Sequence, residues 1–191
     1  VVHQRDVLNP PRMKLVLVDH NEAQQSVAAL EEAELLEILD HHRLGNQPTN
    51  APIKFSVEPV GSTSTLVTEK IYEAGLAPPS EIAGLLISGI VSDTLNLISP
   101  TTTDRDIKAI NILSRWAFTS KSILSNETIG SFAENILGAG SGLGTQPPFE
   151  IIQRDVKVYS SGEYKFAISQ AEVSDINELN EHRAELQDAL S

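Results

Sequence analysis

Three of the five histidines in this chain fall in two short stretches, and each stretch sets them beside an aspartate: Asp19-His20 in "VDHNE" and Asp40-His41-His42 in "LDHHRLGN". Carboxylate and imidazole together suit hard or borderline divalent cations such as Mn²⁺, Mg²⁺ or Co²⁺. Without thiolates, an oxygen-rich octahedral site is the natural expectation. An aspartate at the end of a strand is held by rigid backbone, and a neighbouring imidazole can share its metal or orient its carboxylate. Asp93, near the end of an apolar helical stretch, would add a ligand. Two metals roughly 3.5–4 Å apart could share a carboxylate and clamp a water in line with a phosphorus. A plainer reading stands beside this one. An isolated Asp-His pair in a loop is ordinarily a cap or a solvated turn, Asp93 alone reads as a helix-end residue, and Lys157 reads as a solvated strand lysine. His3 and His182 are assigned nothing.

The metal reading needs the two Asp-His pairs to converge, and the flanking patterns supply a way. "KLVLVD" (14–19) and "LLEILD" (35–40) are short apolar runs that end on an aspartate, as buried parallel strands do when they deliver a polar side chain at their C-terminal ends. Between them "NEAQQSVAALEEA" has helical composition, with Val27, Leu30 and Ala33 at helical spacing. Two strands around one helix form a right-handed crossover, which brings Asp19 and Asp40 to the same edge of the sheet, where ligands of such sheets bind. "PIKFSVEP" follows as a third strand. "GSTSTLVTEKIYEAGL" reads as a turn, a Ser/Thr cap and an amphipathic helix. "PSEIAGLLISGIVSDTLNL", "TDRDIKAINILSRWAF" and "SKSILSNETIGSFAENIL" are further helices.

"GAGSGLGTQPP" (138–148) is the one strong break in composition and reads as a flexible loop. After it, "RDVKVYSSGEYKFAISQAEV" reads as a hairpin turning at Ser161-Gly162, and "SDINELNEHRAELQDAL" as a closing polar helix. In the hairpin, the side chain of Lys157 points opposite to those of Val156 and Val158. If the valines face a core, Lys157 faces a cleft. The fold class is therefore α/β. A mostly parallel sheet with helices on both faces occupies 1–137, a loop 138–148, and part of a second, smaller α/β domain 149–191.

Composition narrows the function. The 191 residues carry 26 acidic and 14 basic side chains, a net charge of −12. That argues against holding nucleic acid through phosphate neutralisation and suits divalent cations. There is no cysteine, so disulfides and thiolate metal sites are excluded. No signal peptide or apolar run of spanning length appears, which predicts a cytoplasmic protein without a membrane partner. The sequence opens "VVHQRDVLNPPRMK" with its only methionine at Met13, as a chain excised from a longer one would.

"VDHNE", then "DHHRLGN", then "EPVGSTST" and "GIVSDTLNLISPTTTDRD" together resemble the DHH phosphoesterase superfamily. Within it they resemble the family II, manganese-dependent inorganic pyrophosphatases. The resemblance runs from about Pro10 to the end of the chain. It implies hydrolysis of pyrophosphate to two phosphates by a water activated between two metals, with Mn²⁺ (or Co²⁺ or Mg²⁺) as cofactor and a homodimer as the assembly. It also implies roles. Asp19 bridges the metals, and His41 and Asp93 are ligands of the second one. His42 touches the substrate phosphate and protonates the leaving group. Lys157 binds phosphate, while His20 and Asp40 fix ligand geometry.

Two family motifs do not occur here: an opening "HxxPDxD", which supplies three further ligands, and a closing basic "RKK"-type motif. The expectation is a central segment, inactive alone, that lacks the first metal motif and the C-terminal basic one. Some family members carry CBS modules before "VDHNE" and resume with a segment similar to "DVLNPPRMKLVLVDHNE", so adenine nucleotides are expected partners of a parent with such an insert. The rival readings are a phosphodiesterase or exopolyphosphatase acting on short oligonucleotides or polyphosphate, and a regulatory fragment without turnover.

Overall fold

The computed structural model describes residues 12–45, 49, 51–140, 147–154, 156–170, 173 and 176–190. The chain divides into two compact units, Val1–Thr128 and Ile129–Ser191. The first is built on a parallel three-stranded sheet in the order β1 (Lys14–Val18), β2 (Glu34–Asp40), β3 (Lys54–Val57). Val18 lies opposite Leu39, and Asp40 opposite Val57, so all three strands end at one edge. The Asp19 amide still donates to the Leu39 carbonyl at 3.0 Å. The ladder thus holds the first residue past β1 against the end of β2.

Three helices follow: α1 (Thr63–Glu73), α2 (Ser80–Thr94) and α3 (Asp104–Ala117). The Ser62 side chain caps α1 by accepting from the Ser64 amide at 3.2 Å, and Thr103 and Asp106 form a reciprocal capping box at the start of α3. Leu17, Leu30 and Ile38 form one buried cluster beneath the sheet, and Leu39, Val60 and Leu66 join β2 to α1 in another. Ile87, Ile90 and Val91 of α2 and Leu113 and Ala117 of α3 are also buried. Each large aliphatic side chain removed from water contributes about 1.5–3 kcal/mol. Lys70 of α1 reaches Glu37 of β2 at 2.7 Å, and Lys54 of β3 approaches the same carboxylate at 3.5 Å.

One expected helix does not form. Between β1 and β2 the chain makes two short 3-10 turns, Ala23–Gln25 and Leu30–Glu32. Ala29 adopts a left-handed conformation (φ +59°), which ends any right-handed helix there. Of the three apolar residues at helical spacing, Leu30 is buried but Val27 is 62% exposed. One anchored side chain does not stabilise a helix of this length.

The second unit contains α4 (Ile129–Gly140), α5 (Pro148–Arg154), the antiparallel pair β4 (Val156–Ser161) and β5 (Tyr164–Ser169), and α6 (Ile176–Ala189). Of the helix expected to start near Lys121, only the part from Ile129 is helical; the residues before it form turns. Of the expected 138–148 loop, 138–140 end α4, and 141–146 lie outside the described residues. The hairpin turns on Gly162-Glu163, one residue later than the sequence suggests, with Gly162 at φ +60°. A two-residue loop needs that conformation, and glycine adopts it without steric cost. Every residue of β4 is exposed, Val158 at 71%. The valines beside Lys157 therefore face no core among the described residues. Tyr159 stacks on Phe166, ring centroids 5.5 Å apart.

Candidate metal centre

Asp19 follows β1 directly and stands at φ +65°, a conformation uncommon for residues with a Cβ and one that aspartate tolerates better than most. His41 follows β2 directly, and the aligned strand ends bring the two together. His41 Nε2 lies 3.5 Å from Asp19 Oδ1. On the other side of its ring, His41 Nδ1 lies 3.1 Å from the Val60 carbonyl. A carbonyl can only accept, so Nδ1 carries a proton, and in the neutral tautomer that this selects, the Nε2 lone pair faces the carboxylate. Two acceptors facing each other at that distance suit a cation between them. By this donor chemistry the residues fit a divalent metal.

His42 is held differently. Its Nδ1 donates to Asp40 Oδ1 at 2.8 Å, leaving Nε2 as the free nitrogen of a half-exposed ring. The two imidazoles meet edge to face, centroids 4.2 Å apart. Asp19, His41 and His42 each offer a ligand atom, and these atoms lie within 4.8 Å of one another.

Asp40 is fully buried. Besides the His42 ring, its carboxylate accepts the His41 amide at 2.7 Å, the His42 amide at 3.2 Å and Asn21 Nδ2 at 2.5 Å. Burial works to raise its pKa, but these donors outweigh burial and hold the carboxyl below its usual range. It is thus a fixed anion that orients one imidazole and both histidine amides.

Asp93 sits in the last turn of α2 and accepts the Ser62 hydroxyl at 2.6 Å. Its carboxyl is pushed up, first by desolvation and then by the negative charge of Asp19, while the Ser62 hydroxyl and the imidazoles of His41 and His42 oppose the rise. The negative end of the helix dipole adds to the burden. After Asp93 the chain runs through three consecutive left-handed residues, Leu95, Asn96 and Leu97. The buried Thr94 hydroxyl spans this turn, donating to the Ile90 carbonyl at 2.5 Å and accepting the Leu97 amide at 3.0 Å.

In the first unit Asp19, His41 and His42 form one cluster of ligand atoms and Asp93 feels their charges, whereas Lys157 lies on β4 of the second unit. His20 donates from Nδ1 to the Val18 carbonyl at 2.9 Å, and its Nε2 is buried without a hydrogen-bond partner. His182 pairs with Glu185 at 3.2 Å on α6, in the second unit. Three residues that sequence reasoning passed over support the site. Asn21, 1% exposed, bonds Asp40. Ser62 is legible as a helix cap, but nothing in the sequence ties it to Asp93. Asp106, fully buried, accepts the Gly61 amide at 2.9 Å, the Thr65 hydroxyl at 2.6 Å and the Thr103 hydroxyl at 2.6 Å. It fixes the turn that carries Ser62.

Residues 2–90 match the DHH family, N-terminal domain, and residues 134–191 the DHHA2 domain. The chain is 42% identical over 191 residues to a probable manganese-dependent inorganic pyrophosphatase of Thermotoga maritima, covering all of this chain and 33% of that protein. It is 37% identical over 177 residues to the manganese-dependent inorganic pyrophosphatase of Bacillus subtilis, covering 93% of this chain and 55% of the relative. A crystal structure of a Methanococcus jannaschii protein assigned to the family II inorganic pyrophosphatases superposes with a TM-score of 0.77 at 36% identity, over 93% of this chain and 58% of that one. The chain therefore spans a third to rather more than half of the length of these relatives.

Proposed function

Since the chain belongs to the DHH family, we propose that it forms the metal-binding part, and the start of the substrate-closing part, of a manganese-dependent enzyme that hydrolyses inorganic pyrophosphate to two phosphates. The observation that carries the reading is the opposed pair of His41 Nε2 and Asp19 Oδ1, 3.5 Å apart, with the tautomer of His41 set by the Val60 carbonyl. The names of the relatives support manganese and pyrophosphate. In this proposal Asp19, His41 and Asp93 hold metal. Manganese, when bound, lowers the pKa of water toward neutrality and neutralises charge on the phosphates.

The protein's own residues do the rest. Asp40 keeps the His42 Nδ1 proton in place, and His42 presents Nε2 to the substrate and, in its protonated form, gives a proton to the leaving phosphate. Lys157 binds phosphate through its ammonium. The functional division we propose is 1–137 for metal binding, 138–148 as connector and 149–191 for substrate closure. The same reading carries a homodimer, a cytoplasmic location and, for a parent with a CBS insert, adenine nucleotides as effectors. Among the described residues no helix is long and apolar enough to cross a membrane.

The test is phosphate release from pyrophosphate by the full-length protein in Mn²⁺, with a dinucleotide and a polyphosphate as control substrates. Turnover of pyrophosphate well above both controls is expected. Preference for either control would replace this proposal with a phosphodiesterase or exopolyphosphatase. Lys157→Ala is expected to raise KM without lowering the melting temperature.

A further inference from the structure

We infer that Asn21 is the positioning residue of this site: through the Asp40 carboxylate and the 43–45 segment it sets the direction of the His42 ring. The role rests on the proposed part of His42 in phosphoryl transfer, but the arrangement itself is independent of it. Asn21 is 1% exposed, two residues beyond Asp19. Its amide nitrogen donates to Asp40 Oδ2 at 2.5 Å and to the Arg43 carbonyl at 3.0 Å, and its amide oxygen accepts from the Gly45 backbone. One neutral side chain thus meets a carboxylate, a carbonyl and an N–H at once. Aspartate lacks the donors and would set a second carboxylate against Asp40. An aliphatic residue would take the Asn21 partner away from the buried Asp40 carboxylate, the Arg43 carbonyl and the Gly45 N–H together.

The division of labour on Asp40 makes the connection directional. Oδ1 takes the His41 amide, the His42 amide and the His42 ring, whereas Asn21 is the side chain on Oδ2. Asn21 therefore acts as the stop that prevents the carboxylate from rotating and carrying Oδ1 away from the ring. The 43–45 segment closes around it tightly. A Cβ built at Gly45 would lie 2.8 Å from Asn21 Oδ1 and 2.5 Å from Glu22 Cγ, so position 45 admits only glycine while Asn21 keeps its place.

The experiment compares Asn21→Ala and the nearly isosteric Asn21→Asp with wild type in the full-length protein, each well below its own melting temperature. It reads kcat, KM for pyrophosphate, Mn²⁺ affinity by calorimetry, and the ring ¹⁵N–¹H correlations of His42. The inference expects kcat to fall ~10–100-fold, as when the partner that orients a site residue is lost. KM and Mn²⁺ affinity should keep their wild-type values, and the His42 Nδ1–H signal should shift or broaden. A lower melting temperature with unchanged kcat and an unchanged His42 signal would reduce Asn21 to a structural residue and overturn the role. Loss of Mn²⁺ affinity along with kcat would overturn it too, because Asn21 would then be serving the ligands rather than His42. If wild type does not hydrolyse pyrophosphate, it is the functional reading that fails, and the His42 signal still decides the case of Asn21.

Discussion

Asp19 and Asp93 are costly to keep together in the absence of a cation. Asp93 ends a helix, where the dipole disfavours a negative charge, and its raised carboxyl registers desolvation first and the charge of Asp19 second. A divalent ion relieves both burdens, so Asp19→Ala is expected to abolish specific Mn²⁺ binding in calorimetry and, in the full-length protein, most turnover. Excess Mn²⁺ should not restore it; rescue by metal would remove Asp19 from the ligand set. His42→Asn tests the other role. If His42 donates a proton, the rate falls by ~10²-fold or more while Mn²⁺ still binds, because the opposed Asp19–His41 pair is intact. Loss of metal from that variant would make His42 a ligand, which its place in the cluster with Asp19 and His41 permits. The aspartates and histidines were legible because strand ends fix them and few other residue types do their chemistry. Asn21 was not, since a lone buried asparagine in a loop leaves no periodicity; its partners lie 19, 22 and 24 positions downstream.

At the scale of elements, the start of α1 and the start of α3 are one construction, and Asp106 joins them. Its buried carboxylate bonds Gly61, Thr65 and Thr103. Burial alone would raise its pKa, yet these donors hold it below the ordinary carboxylate range. The linkage has a definite sign. A depressed carboxyl contributes stability above the unfolded pKa of about 3.9, and that contribution is lost as pH falls through the folded value. Asp106→Asn should therefore lower the melting temperature most near pH 7, with the gap to wild type narrowing below about pH 4. A gap constant across pH would assign the cost to packing rather than charge. The same junction explains what could be read of the fold. Each strand and each capped helix carried its own local signal. The missing helix between β1 and β2 carried helical spacing too, but Val27 stays 62% exposed, and tertiary burial decides such a segment. The left-handed run Leu95–Leu97 has Asn96 as its one sequence mark, since it contains no glycine; Thr94 holds it in place from inside the core.

Taken whole, the molecule is strongly acidic, with a net charge of −12, and loosely held Mn²⁺ will gather on its surface at low salt. Titrations belong at about 0.15 M ionic strength, where charges more than ~8 Å apart are largely screened and the specific site stands out. Among the described residues Asp19, His41 and His42 form the one group of three that could hold a metal ion. The further ligands that family resemblance ascribes to an opening "HxxPDxD" motif have no counterpart in the sequence. The 191-residue chain is therefore expected to bind one Mn²⁺ specifically, with water completing the coordination, and to release no phosphate from pyrophosphate above background. Saturation at about a hundred times Kd would stabilise the unit that carries Asp19 by ~2.7 kcal/mol, raising its melting temperature by several degrees; a chelator should reverse the rise, and Asp19→Ala should remove it. Two specific ions per chain, or turnover near the ~10 s⁻¹ typical of enzymes, would mean that these residues supply the missing ligands themselves, and the expectation of a single bound ion would have to be abandoned.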